Sequence, residues 1–196
     1  MRHWTASAAI LTVAIILAAT PVVVRGQTNG HKPHRVVHVY ANGGVAAPIS
    51  VFDDRFKTGV GGGFALGFAP RSISNGEIEF LLRGQIEKFS PQESGRPKIT
   101  FLSGGFDIKY NLSPYGPTNV FLIMGGGLTQ TQWSEGAYRG QTIASQDQMD
   151  LHGEAGVGVE YLGESLAPFL QLRLKNVTGK AMGNYYFFKF EMGLKL

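Results

Sequence analysis

The 196-residue chain contains no cysteine. That excludes a disulfide framework, a lipoprotein acylation site and a cysteine-based metal centre. Charge is scarce as well: Asp, Glu, Lys and Arg supply 16% of the residues, and the formal net charge is +4. There is no Lys/Arg cluster and no aromatic platform beside one, so nothing points to nucleic acid as a partner. Beyond residue 26 no amphipathic helical stretch runs for more than a few turns, which excludes a helix bundle and argues against α/β layering. An exported chain without disulfides must draw its stability from packing or from a closed sheet.

Export is written at the N-terminus. Met1-Arg2-His3-Trp4 is a short basic lead, residues 6–24 carry no charge, and residues 8–19 are almost purely aliphatic. Val24 and Gly26 place short side chains at the two positions that a signal peptidase reads, with cleavage before Gln27. An uncleaved anchor is the alternative, and Pro21 and the modest length disfavour it. Removing residues 1–26 takes away Arg2 and Arg25, which lowers the net charge to +2. Residues 27–34 read as a leader segment and residues 35–196 as one β-domain.

Glycine is abundant, at 27 residues, and alternation at period two is the dominant pattern. It predicts eight strands, at 35–45, 58–68, 77–89, 98–110, 119–133, 150–161, 168–176 and 185–196. The last strand shows the pattern most clearly. Its even positions, Tyr186 to Leu196, are large and apolar, while its odd positions include Lys189, Glu191 and Lys195. Side chains alternate across a strand, so these are two unlike faces. Turn residues cluster at 69–76, 111–117 and 162–167, and the other connections are more polar, the longest at 134–149.

Two arrangements satisfy such faces. In a soluble cup of the lipocalin kind the apolar face points inward, and in a membrane barrel it points outward. Two observations favour the second. Phe68, Phe80, Tyr110, Phe121 and Tyr161 all flank the short turns, as an interfacial aromatic girdle on the periplasmic side would. The opposite face holds Gly59, Gly61, Gly63, Ala65, Gly67, Gly105, Gly156 and Gly158, where a narrow lumen needs small side chains and a solvated surface does not. The lumen face then carries Glu79, Arg83, Glu87, Asp107, Lys109, Glu154, Glu160, Arg173, Lys175, Lys189 and Glu191. Their signs nearly cancel, which suggests an ionic plug, with a narrow gated pore as the alternative. Counting back from a turn centred between Glu164 and Ser165 places Glu154 opposite Lys175.

The matching segments run through nearly the whole of residues 35–196. They are Tyr40-Ala41-Asn42-Gly43-Gly44-Val45, Lys57-Thr58-Gly59-Val60-Gly61-Gly62-Gly63, Gly153-Glu154-Ala155-Gly156-Val157-Gly158-Val159-Glu160-Tyr161 and Phe190-Glu191-Met192-Gly193-Leu194-Lys195-Leu196. On these the chain resembles the bacterial outer-membrane β-barrel domain family, the small OmpA/OmpX-type barrels. The resemblance implies an eight-stranded antiparallel up-and-down transmembrane β-barrel in the outer membrane. It also implies contact with outer-membrane lipid and the barrel insertion machinery, and loops that face outside toward an unidentified partner. Members often end in an aromatic residue read by that machinery, whereas this chain ends in Leu196. Longer members add a peptidoglycan-binding domain, and that activity is not carried over.

Catalysis finds little support. His152, Glu154 and Glu160 share a face, but two ligands or an acid/base couple without a third group make a weak site. Lipid-modifying barrel enzymes need a serine–histidine–acid set at the outer rim. His152 is expected near that rim, while Ser134 and Ser145 stand in the longest loop. His31, His34 and His38 read as polar residues of the leader and first strand. The expectation is a non-enzymatic barrel without cofactor or metal.

Overall fold

Period-two alternation dictates extended segments, and turn residues at regular spacing let each return antiparallel to the one before. The computed structural model describes residues 37–49, 54–70, 77–113, 117–138, 141–161, 166–179 and 183–196. The signal peptide and leader expected over 1–34 lie outside them, as do His31, His34 and the first residues of the first strand.

Ten strands follow in order: β1 (Val37–Ile49), β2 (Gly59–Phe68), β3 (Ile78–Phe89), β4 (Ile99–Asn111), β5 (Thr118–Trp133), β6 (Gly136–Tyr138), β7 (Gln141–Ile143), β8 (Gln146–Tyr161), β9 (Ala167–Gly179) and β10 (Gly183–Lys195). Eight of them close into a barrel in the order β1-β10-β9-β8-β5-β4-β3-β2, every pair antiparallel. Closure pairs Tyr40 with Lys195 and Ile49 with Tyr186, so no strand of the barrel is left as a sheet edge along its whole length.

The loop-side end departs from expectation in two places. Residues 134–149 are not one open connection. They contain the β6–β7 hairpin, and Gln146–Met149 belong to β8. Trp133 lies opposite Gln146, so the β5–β8 ladder rises as a ribbon past the point where β9 leaves β8, at Leu151 opposite Thr178. On the β8 side of the ribbon Gln146, Asp147, Gln148 and Asp150 leave Met149 as the one apolar residue, so hydrophobic alternation does not announce it. At the other site β9 and β10 are longer than expected, and only residues 180–182 separate them. Gly95, at φ 86°, turns the β3–β4 connection where an L side chain would be strained.

Burial decides which face is outside. Leu82, Met124, Leu151, Leu172, Phe190 and Met192 are exposed, whereas Arg83, Lys109, Glu154, Arg173, Lys189 and Glu191 are buried. Among the described outward-facing strand residues the charged ones are Lys88 and Asp147, both near the loop end. An apolar exterior around a charged interior inverts the soluble cup and is the construction of a membrane-spanning barrel.

Candidate functional site

The lumen is built by parity. Every inward residue of β3 is two positions from the next, so Glu79, Leu81, Arg83, Gln85, Glu87 and Phe89 line one wall in a row. The same rule brings Asp107 and Lys109 from β4, Glu154 and Glu160 from β8, Arg173 and Lys175 from β9, and Lys189 and Glu191 from β10. All eleven expected lumen charges are buried. They sort into layers.

At the short-turn end Glu79 is the acceptor for three elements. His38 Nδ1 lies 2.7 Å from its Oε1, and Tyr40 donates its hydroxyl to Oε2 at 2.6 Å. Lys109 stands 3.7 Å away and pairs with Glu160. Lys195 reaches Glu160 at 3.1 Å and Glu79 at 3.5 Å. Lys195 shares the charged parity of Lys189 and Glu191 and completes this layer, although the sequence-based set omitted it. The ion-paired part of the lumen thus holds six carboxylates and six Lys/Arg cations, while Asp150, a seventh buried carboxylate, accepts from Thr131 and Gln148. Parity on β10 was the signal that identifies the sixth.

The ion pairs of the middle layer join five strands. Arg83 pairs with Glu154 and lies 3.2 Å from Asp107, and Arg173 lies 2.9 Å from Asp107 and 3.5 Å from Glu154. Lys189 is shared among Glu154 at 3.1 Å, Glu87 at 3.3 Å and Glu191 at 3.4 Å. Glu191 also accepts from Asn42 at 2.8 Å, Gln85 at 3.0 Å and Gln171 at 2.7 Å. Each of the six carboxylates therefore touches at least two cations. Such sharing offsets the several kcal/mol of desolvation that each buried ion costs. A void of only about 10 Å³ separates Gly44 and Gly61 from Glu87, Lys189 and Glu191, room for no more than one water.

Glu154 and Lys175 stand opposite each other in the β8–β9 ladder, at the expected register. Their charges go elsewhere. Lys175 donates to both oxygens of Glu87 at 3.1 Å and to Ser103 at 2.6 Å, while Glu154 turns to Arg83, Arg173 and Lys189. The lumen is narrow enough that a side chain reaches across it as easily as to its ladder neighbour.

Two further expectations are corrected. Phe121 does not belong to the outward girdle. It points inward, 2% exposed, with Lys109 Nζ 4.4 Å from its ring centroid. Phe121 lies opposite Gly158, an inward position of β8, and a residue inside one strand of a pair is inside the other. Phe68, Tyr110 and Tyr161 are outward and exposed, and Phe80 stacks on the outward Phe106 at 5.8 Å. His152 is not at the rim. It is buried in the lumen, with Nδ1 2.9 Å from Thr129 Oγ1. Ser134 is exposed in the loop, its Oγ accepting from Lys98 N at 2.8 Å. Among the described residues no group of three or more His, Asp or Glu is placed to hold a metal ion.

The loop-side end of the lumen holds a layer that the sequence-based set lacks. Phe89, Phe101, Tyr185 and Phe187 form a buried aromatic cluster with Ile99 and Val177. Phe89 and Phe187 meet edge to face at 5.1 Å, and Phe101 stacks on Phe187 at 5.7 Å. Gly59 is required here, because a Cβ at that position would lie 2.7 Å from the Phe89 ring. Phe56, from the β1–β2 connection, caps the cluster beside Trp133. A run such as Tyr185-Tyr186-Phe187-Phe188 looks apolar on both faces, so alternation in charge gives no warning that half of it points inward.

No protein-family model matches the sequence, and no curated protein matches it. Solved structures do match. Neisserial surface protein A (NspA) aligns at a TM-score of 0.60 and 13% identity, over 83% of this chain and 97% of that one. The N-terminal β-barrel domain of Pseudomonas aeruginosa OprF aligns at 0.45 and 13% identity, over 82% and 96%. Ail, the attachment invasion locus protein of Yersinia pestis, aligns at 0.47 and 10% identity, over 82% and 96%. At such identity the first of these establishes fold alone, and the chain is a closed eight-stranded antiparallel β-barrel with the fold of neisserial surface protein A.

Proposed function

We propose that the protein is a non-enzymatic barrel of the bacterial outer membrane, closed to ions, that serves as a rigid base for an outward-facing interaction surface. One observation carries this reading: apolar residues dominate the outside of all eight barrel strands, where the charged ones among the described residues are Lys88 and Asp147 near the loop end, while six carboxylates and six cations of the lumen are cross-paired. Arg or Lys on the lipid face costs about 2–4 kcal/mol at the bilayer midplane, so charge is confined to the lumen. A lumen whose charges neutralise one another offers no selective field and little free path for a hydrated ion. The short turns face the periplasm, and the β5–β8 ribbon with the β6–β7 hairpin stands outside.

The absence of native cysteine makes labelling clean. In intact cells a membrane-impermeant maleimide should modify Ser145→Cys on the ribbon side, and should leave Leu166→Cys on the turn side unmodified until the membrane is opened. The folded barrel should migrate differently before and after heating, and planar-bilayer recording should show little steady conductance. Long-lived large openings of the native chain would refute closure and favour the gated-pore reading. Reversed labelling would refute the orientation.

A further inference from the structure

We propose that Lys57, Lys88 and Lys98 form a site at the loop-side rim of the barrel exterior for the anionic phosphate head group of a membrane lipid. The proposal rests on the membrane-barrel reading above and not on which end faces outside. Lys88 stands exposed on the outward face of β3, two residues nearer the loop end than the exposed Ile86. Ladder pairing sets it opposite Val60 and Thr100. Lys98, just before β4, is held by Ser134, whose amide donates to Lys98 O at 3.0 Å and whose hydroxyl accepts from Lys98 N at 2.8 Å. It keeps the outward parity of Thr100 and is exposed. Because Thr100 faces Lys88, Lys98 is the diagonal neighbour of Lys88, about 7–8 Å away along the sheet and within reach of two long side chains. On the other side Lys57 N donates to Ser90 O at 2.9 Å, and Lys57 is exposed where Phe56 before it is buried. Three neighbouring segments thus place three lysines about Ser90, the residue two beyond Lys88.

No carboxylate of this protein answers them. The six Lys/Arg cations of the lumen are ion-paired, and Arg96 meets Glu93 at 2.6 Å. Among the described residues the cations without a carboxylate partner are Arg55, Lys57, Lys88 and Lys98, and all four belong to the β1–β2 and β3–β4 side of the loop end. Glu135 follows Ser134 and is exposed, yet it forms no ion pair with Lys98. A protein that pairs its interior cations so thoroughly leaves its unpaired ones together, on one stretch of rim.

The location selects the ligand. A lysine on the outward wall is tolerated near the interface, where its ammonium reaches the head groups, and not at depth. Each ammonium donates to a phosphate oxygen as a compact point charge, and positive residues at this level draw anionic lipid toward them. Directly below the lysines the outward wall is apolar, with Ile86 opposite Leu102 and Leu82 one pleat further down. A lipid whose phosphate sits among the lysines lays its acyl chains against that wall. Free phosphate gains only the charge, so the lipid is the ligand that uses both parts of the surface.

The full chain is refolded into phosphatidylcholine vesicles holding a trace of spin-labelled phosphatidic acid, phosphatidylcholine or fatty acid. The motionally restricted fraction of each label is read by electron paramagnetic resonance, at a pH where the fatty acid is ionised. The phosphatidic acid label should be retained several-fold more strongly than the phosphatidylcholine label, and more strongly than the fatty acid, which is charged but has no phosphate. In Lys57→Ala/Lys88→Ala/Lys98→Ala the preference should fall close to unity, while Lys88→Arg alone should keep most of it. Excess inorganic phosphate should leave the label in place. Heat-modifiable mobility checks that each variant is folded, and if the triple variant is not, Lys88→Gln takes its place and should lose part of the preference. Equal retention of all three labels by the folded native chain would overturn the proposal, as would a preference unchanged in the folded lysine variants. Fatty acid held as tightly as phosphatidic acid would overturn the assignment of phosphate, and release of the label by inorganic phosphate would overturn the assignment of a lipid. A chain that does not insert into the vesicles at all would remove the membrane-barrel reading, and this proposal with it.

Discussion

Glu154 is the carboxylate on which three cations converge, and its removal tests the whole reading of the lumen. Arg83, Arg173 and Lys189 all reach it. Breaking a buried pair from one side costs about 3–5 kcal/mol, because the partner is left desolvated. Here each cation keeps a second carboxylate. Arg83 and Arg173 keep Asp107, and Lys189 keeps Glu87 and Glu191. The expected cost of Glu154→Ala is therefore at the lower end, about 3 kcal/mol. Direct contact further predicts that Glu154→Ala and Arg83→Ala are non-additive, with a coupling of about 1–3 kcal/mol. Lys175 faces Glu154 in the ladder yet bonds to Glu87 and Ser103, so the cycle of Glu154→Ala with Lys175→Ala should show a smaller coupling than the cycle with Arg83→Ala. Urea unfolding of the barrel in vesicles, followed by Trp133 fluorescence and by gel mobility, supplies the four stabilities of each cycle. A Lys175 coupling equal to or larger than the Arg83 coupling would mean that the ladder, and not the far wall, sets the ion pairs, and the layered network would be wrong.

Parity along β9 predicts that Leu172→Arg costs about 2–4 kcal/mol, while Leu166→Arg in the exposed connection before β9 costs far less; vesicle refolding yields measure both, and equal yields would contradict a lipid-facing Leu172. Phe121→Ala should destabilise by about 3–5 kcal/mol, because it opens a hole beneath Lys109, and Phe68→Ala, on the exposed girdle, should cost markedly less in the same urea titration. Gly125→Ala would drive a Cβ into the Asp107 carboxylate and the Phe106 backbone, whereas the same change at Gly104 meets nothing within 4 Å. Thermal gel-shift midpoints should therefore fall sharply for Gly125→Ala and stay level or rise for Gly104→Ala, and a fall of equal size in both would refute the inward assignment of Gly125.

Local rules carried much of this protein. Side chains alternate at a period of two whatever the tertiary context, so the runs from Leu170 to Lys175 and from Phe188 to Leu196 define an apolar and a charged face by themselves. Charges such as Arg173 cannot face lipid, which selects the membrane barrel over the soluble cup. Register follows from where a hairpin is expected to turn, so counting back from between positions 164 and 165 sets Glu154 opposite Lys175, the pairing that the β8–β9 ladder has. What alternation could not supply is any segment that is alike on both faces. Val120 to Met124 is apolar throughout, and only pairing with Gly158 and Asn111 turns Phe121 inward. The tyrosines and phenylalanines from Tyr185 to Phe188 hide an aromatic cap in the same way, and the polar ribbon of Gln146–Met149 hides the extension of β8. Ion-pair partners were equally out of reach. Arg83 and Glu154 are 71 residues apart and meet on opposite walls. Closure of the sheet brought those walls within a side chain's length of each other, and that distance is a property of the barrel's circumference and stagger rather than of any strand within it.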